Sequence, residues 1–115
     1  MTCKVQLSPL FQTDLDEIWT YIAEEYLNPE AADRITDDIL DTVRALQIMP
    51  LRGRKIILPG GMDSGYRFLV FEAYVIVYRI WPGVVQVARV IPAALDYMRV
   101  MFPRVRKDPI EDEEG

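Results

Sequence analysis

Between Gly65 and Ile91 the chain reads GYRFLVFEAYVIVYRIWPGVVQVARVI, three runs rich in Val, Ile, Phe and Tyr parted by two short breaks. These residue types suit a pleated, half-buried surface, so Tyr66–Phe71, Tyr74–Ile80 and Val84–Ile91 are predicted as strands. Glu72-Ala73 leaves room for a two-residue turn, and Trp81-Pro82-Gly83 places a proline and a glycine where the chain reverses. Neither connection is long enough for a crossover, which makes the three strands antiparallel neighbours. Alternation sends Tyr74, Ile76 and Tyr78 to one face and Val75 and Val77 to the other, so both faces are apolar. Antiparallel sheets commonly leave one face wet. This one needs a cover within the chain on one side and something more on the other.

The amino-terminal half supplies the first cover. Lys4–Leu7 reads as a short strand at the sheet edge. Ser8-Pro9 is then a helix N-cap followed by proline at the first helical position. Phe11, Leu15, Ile18, Ile22 and Tyr26 recur at helical spacing, with Asp14, Asp16, Glu17, Glu24 and Glu25 left for solvent. Asn28-Pro29 repeats the start signal, and a second stripe of Ala32, Ile35, Ile39, Val43 and Leu46 ends before Pro50. So short a connection makes the two helices an antiparallel hairpin. Trp19 and Tyr21 read as helix-packing residues.

Leu51–Gly65 has a different character. Arg52, Arg54 and Lys55 crowd into four positions, an edge strand is expected over Lys55–Leu58, and Pro59-Gly60-Gly61 follows. The glycines are not a phosphate loop, because no Gly-Lys-Ser/Thr and no helix come after them. Beyond the last strand Pro92 interrupts, Leu95–Phe102 offers a short helix, and Pro103 ends it. The expected fold class is α+β: an N-terminal strand, an antiparallel two-helix hairpin packed on an antiparallel β-sheet of about four strands, and a short C-terminal helix. Residues 1–103 form one domain in this reading, and residues 104–115 a disordered charged tail.

Charge is sharply segregated. Residues 1–50 hold ten acids and three bases, residues 51–107 three acids and ten bases, and residues 108–115 five acids and no base, within a net charge of -5. Charge acts within about a Debye length, so a basic middle can meet a polyanion although the whole chain is acidic. There is no histidine and Cys3 is the one cysteine, which removes the commonest zinc ligands and any intrachain disulfide. No cofactor or metal is expected, and the compartment that suits such a chain is the cytoplasm. No apolar run is long enough to span a membrane, and MTCKVQLSP lacks the apolar region of a signal peptide.

The parts in order (LSPLFQTDLDEIWTYIAEEY, NPEAADRITDDILDTVRAL, MPLRGR, GYRFLVFEAYVIVYRI, VVQVARVI and DYMRVMF) resemble the RelE/ParE family of toxins from bacterial type II toxin–antitoxin pairs. The resemblance covers about Val5 to Phe102. It implies a growth-inhibiting toxin neutralised by a cognate antitoxin in a hetero-oligomer, the antitoxin accounting for the second apolar face. RelE-like members cleave mRNA on the ribosome, whereas ParE-like members poison DNA gyrase and need no nuclease site. A third possibility is a degenerate toxin acting only as a protein-binding module.

For a nuclease, the resemblance puts Arg67 on the sheet and Tyr97 as the aromatic acid–base group. Arg67 should sit opposite Tyr78, and Arg89 joins that face only if the Pro82-Gly83 hairpin has the simplest register, which a bulge would undo. Members commonly carry basic residues just before the Asp-Tyr pair. This chain has Pro92, Ala93, Ala94 and Leu95 there, and neutral side chains cannot make charge-assisted bonds to a phosphate. The balance therefore leans to the ParE-like, non-hydrolytic toxin. Arg52, Arg54, Lys55 and Arg67 are the expected target-binding patch. Leu95, Met98, Met101 and Phe102 are the expected antitoxin contacts, in a groove between the acidic hairpin and the sheet or beside an added strand, with Arg99, Arg104 and Arg106 at the rim.

Overall fold

The computed structural model describes residues 3–104. The chain runs β1 (Lys4–Leu7), α1 (Pro9–Glu25), α2 (Pro29–Arg44), β2 (Arg54–Ile57), β3 (Asp63–Phe71), β4 (Tyr74–Trp81), β5 (Val84–Pro92) and α3 (Tyr97–Met101). Two 3-10 turns, Ala45–Gln47 and Pro50–Arg52, link α2 to β2. Of the expected charged tail, Arg104 is described and residues 105–115 lie outside the described residues.

Both long helices start as their caps dictate. The Ser8 hydroxyl accepts from the Phe11 amide at 3.0 Å and the Asn28 side chain from the Ala31 amide at 3.0 Å, each satisfying an amide with no partner inside the helix. Between them Leu27 adopts a positive φ of 52°, the tight break that folds α2 back on α1.

Strand order is β1-β5-β4-β3-β2. The four later strands are antiparallel neighbours, as expected. The sheet nevertheless has five strands and is mixed, because β1 runs parallel to β5, Lys4 opposite Val84 and Leu7 opposite Val87. No turn ties β1 to its neighbour, so its direction is set by the entry into α1 rather than by any local signal.

The α1–α2 hairpin covers one face. Phe11, Ile18, Ile22, Ala32, Ile39, Val43 and Leu46 bury against Ile76, Tyr78, Val85, Val87 and Val90. Ile35, expected in this core, is half-buried at its margin, and Tyr26 at the end of the first stripe is exposed. On the second face Ile56, Val75, Val77 and Ile91 are buried beneath Tyr97, Met98, Val100, Met101 and Phe102, with Tyr66 and Phe68 beside them. The expectation that this face waits for a partner is corrected here: α3 and Phe102 cover much of it within the chain. Five helical residues suffice because nearly all of them are large and apolar.

A bulge divides β5. Tyr78 faces Val87 while Val77 faces Arg89, leaving Ala88 as the extra residue. Arg89 therefore leaves the face that Tyr78 occupies, the outcome a simple hairpin register would not give. Past Leu7 no strand of the described residues lies beside the outer edge of β5, and α1 fills the gap. The Ser8 amide donates to the Val87 carbonyl at 3.0 Å, the Ser8 hydroxyl to the Ala88 carbonyl at 2.7 Å, and the Val90 amide to Asp14 at 3.1 Å. An edge that would otherwise recruit another strand is closed by the Ser8 backbone and the Ser8 and Asp14 side chains.

Candidate functional site

Arg52 lies on the second 3-10 turn and Arg54 and Lys55 on the edge strand β2, all three exposed. Arg67, half-buried, is opposite Lys55 on β3. Lys55 lies 3.6 Å from the Asp63 carboxylate. Exposed charges this close to an acid are weakly held, so Lys55 remains available to a stronger anion.

Arg67 is occupied differently. One terminal nitrogen donates to the Gly53 carbonyl at 2.7 Å and reaches the Leu51 carbonyl at 3.5 Å. Directly across the β3–β4 pair, the Tyr78 hydroxyl accepts from the Gly53 amide at 2.7 Å and donates to the Pro50 carbonyl at 2.8 Å. Burial pushes the Tyr78 phenol up from its ordinary value, against the lowering influence of Gly53, Arg67 and Arg52. A Cβ at Gly53 would stand 2.6 Å from the Tyr78 oxygen and 2.8 Å from the Phe68 carbonyl, so only glycine fits. Arg67 and Tyr78 together fasten the loop that presents Arg52, Arg54 and their exposed apolar neighbours Ile48, Met49 and Leu51. The sequence names both residues as a pair but gives no sign that their partners are backbone groups of this loop.

Tyr97 lies elsewhere. Its ring stacks at 5.5 Å on Phe68, within the cluster on the second face, whereas Arg67 shares the helix-covered face with Leu69 and Tyr78. The two candidate catalytic residues are on opposite sides of the sheet. Arg89 is bound by Asp14, Nε at 2.7 Å from one carboxylate oxygen and a terminal nitrogen at 2.8 Å from the other. The Asp14 hydrogen bond raises the Arg89 pKa, partly offset by burial.

Of the four expected antitoxin contacts, Leu95 is exposed, while Met98, Met101 and Phe102 are half-buried against the sheet. Leu95 opens on a groove of about 590 Å³ between α1 and the end of β5, lined also by Asp14, Glu17, Tyr21, Tyr26, Tyr74 and Val100. Its far wall carries the two exposed tyrosines of the hairpin, whose rings meet edge to face at 5.7 Å. Arg99 and Arg104 are exposed; Arg106 lies outside the described residues.

Arg79, which no sequence motif marks, is held between two aromatic rings. Its guanidinium carbon sits 5.1 Å from the Tyr66 ring centroid and 4.7 Å from that of Trp81, and Nε donates to Gln86 at 2.9 Å. The alternation Tyr78-Arg79-Ile80-Trp81 does place Arg79 and Trp81 on one face, but Tyr66 arrives only through the β3–β4 register.

Residues 5–97 match the family described as the ParE toxin of the type II toxin–antitoxin system, parDE. The fold is shared with the chromosomal ParDE toxin–antitoxin system from P. aeruginosa, at a TM-score of 0.63 and 22% identity over 79% of this chain and 96% of that one. It is shared also with the toxin–antitoxin complex RelBE2 from Mycobacterium tuberculosis, at a TM-score of 0.60 and 19% identity over 81% of this chain and 94% of that one. Identities this low establish likeness of fold alone. Among curated protein sequences none matches significantly.

Proposed function

This chain belongs to the ParE toxin family of type II toxin–antitoxin systems, and on that footing we propose that it is a growth-inhibiting toxin that poisons DNA gyrase without hydrolysing a substrate itself. The observation that carries the second half is the separation of Arg67 from Tyr97. Ribonuclease chemistry of the RelE kind needs a group to take the 2′-hydroxyl proton, a cation on the phosphate and an acid for the leaving oxygen, all within reach of one phosphodiester. Here the cation and the aromatic acid face opposite sides of the sheet, and the cation already holds two loop carbonyls. Pro92–Leu95 adds no charge that would replace it. A poison needs only a docking surface. Arg52, on a turn held by Arg67 and Tyr78 and edged with exposed apolar side chains, and Arg54 and Lys55 on the edge strand that follows it supply one.

The antitoxin in this reading lies in the groove between α1 and β5. Tyr21, Tyr26, Tyr74, Leu95 and Val100 give an apolar floor, and Glu17 gives an acidic rim that suits a helix with basic flanks. Met98, Met101 and Phe102 pack on the second face of the sheet and do not line the groove. The test is expression in a bacterial host. The chain alone should arrest growth and leave broken chromosomal DNA with intact mRNA, and the product of the neighbouring reading frame should restore growth. Codon-specific mRNA cleavage with intact DNA would replace the gyrase reading with the nuclease one.

A further inference from the structure

We propose that the half of the second sheet face left open by α3 is a binding site for single-stranded nucleic acid, in which Arg79 takes a phosphate and Trp81 stacks on a base. The proposal does not depend on which target the toxin poisons.

The face is built in two parts. Towards Ile91, α3 and Phe102 bury Val75 and Val77. Towards the β4–β5 turn no helix of the described residues lies over it, and the register lines up a different kind of row. Arg79 is opposite Gln86 on β5, and Gln86 is opposite Gln6 on β1. Tyr66 stands beside Arg79 on β3, with Trp81 two residues along β4. Trp81 is 49% exposed. Its neighbour across the turn is Val84, opposite Lys4 on β1.

Arg79 is prepared for a ligand rather than spent on the fold. Gln86 takes its Nε, which with the two rings fixes the guanidinium plane, while no carboxylate pairs with it among the described residues. A guanidinium held in this way offers two parallel N–H donors to a phosphate with little ordering cost. An aromatic ring next to it accepts any base on its π-face, the usual platform for single strands. The charge fits too. Lys4, Arg54 and Arg79 share this face through Gln6, Phe68 and Tyr66, while the ten acids of residues 1–50 all lie on α1 and α2 beyond the other face. An acidic peptide would use the cations equally well. It has less use for Trp81, or for the Gln6 and Gln86 amides, which can read base edges with both donors and acceptors.

The test is fluorescence anisotropy of the full chain with short fluorescein-labelled oligothymidylate and oligouridylate. Binding in the micromolar range at low salt is expected, and for three phosphate contacts a log–log salt slope of about -2 follows from counterion release along a single strand. In a Trp19→Phe background the remaining tryptophan emission, that of Trp81, should quench on binding. Arg79→Gln and Trp81→Ala should each weaken binding at least tenfold with unchanged thermal melts, and Arg79→Lys should lose part of it. Arg34→Gln, on α2, should lose nothing. No binding by the wild-type chain, or binding that a folded Arg79→Gln variant retains in full, would overturn the proposal. So would tighter binding in trans of a peptide spanning residues 108–115, which would assign the face to an acidic protein segment.

Discussion

The Asp14 carboxylate on α1 grips Arg89 on β5 through both oxygens, at 2.7 and 2.8 Å, and one of them also accepts the Val90 amide at 3.1 Å. Asp14 is the buried charged residue among those described, and its three bonds join the helical layer to the sheet just where β1 ends. Asp14→Ala strands a half-buried guanidinium and a buried amide together. The expected loss is roughly 3 kcal/mol, since removing one partner of a buried pair leaves the other uncompensated. Asp14→Asn, which still accepts from Val90, should lose less. Equal denaturant midpoints for wild type and Asp14→Ala would show that the link is inert.

Tyr78→Phe tests the fastening of the basic loop. It removes the acceptor for the buried Gly53 amide and the donor to Pro50, and should cost about 1–3 kcal/mol. Gly53→Ala, meeting both Tyr78 and backbone, should cost at least as much. The same tyrosine has a pH signature. Its phenol is raised by burial, so on alkalisation the unfolded chain gives up this proton first. Its contribution is complete below the unfolded pKa of about 10 and declines as pH rises through that value towards the folded one. Chemical denaturation at stepped pH should show a shallower alkaline decline in Tyr78→Phe. Some decline should persist, because Tyr74 is also raised, by burial and then by Glu72 and Tyr26.

Charge removal at the proposed target patch should separate two roles. The triple variant Arg52→Ala, Arg54→Ala, Lys55→Ala should melt like wild type, because exposed bases contribute little to stability, yet lose growth inhibition. Arg67→Ala should lower the melting temperature by releasing the Gly53 carbonyl, and weaken toxicity by loosening the loop. Full toxicity in the folded triple variant would remove the patch from the account.

For the antitoxin, the groove makes a ranking. Tyr21→Glu with Leu95→Glu places two charges on its apolar floor and should weaken antitoxin binding at least tenfold by calorimetry, with the fold intact because both positions are exposed. Met98→Asp with Phe102→Asp should instead unfold the second-face cluster. An antitoxin that binds the Tyr21/Leu95 variant normally sits elsewhere.

What the sequence makes legible follows the range of its signals. Ser8-Pro9 and Asn28-Pro29 marked both helix starts, and the Ile18, Ile22, Ile39, Val43 stripes marked their buried faces, because caps and periodicity are local. The Arg67–Tyr78 pairing followed from a two-residue turn. The parallel direction of β1 did not, since its partner lies some eighty residues away. The Ala88 bulge has no residue signature, so the move of Arg89 towards Asp14 stayed open. The apolar residues of 95–102 suit a partner surface by composition alone, whereas most of them meet the sheet of their own chain. Arg79 has no local signature for a related reason: a cation between two aromatics exists only once β3 and β4 are in register.

The most direct measurement is a gyrase cleavage assay with the purified full chain, supercoiled plasmid and ATP. Linear DNA covalently attached to gyrase should accumulate, abolished by equimolar antitoxin and absent with the Arg52/Arg54/Lys55 triple variant, while a ribosome-programmed mRNA stays whole. Unaltered gyrase turnover together with cleavage of that mRNA would contradict the gyrase reading.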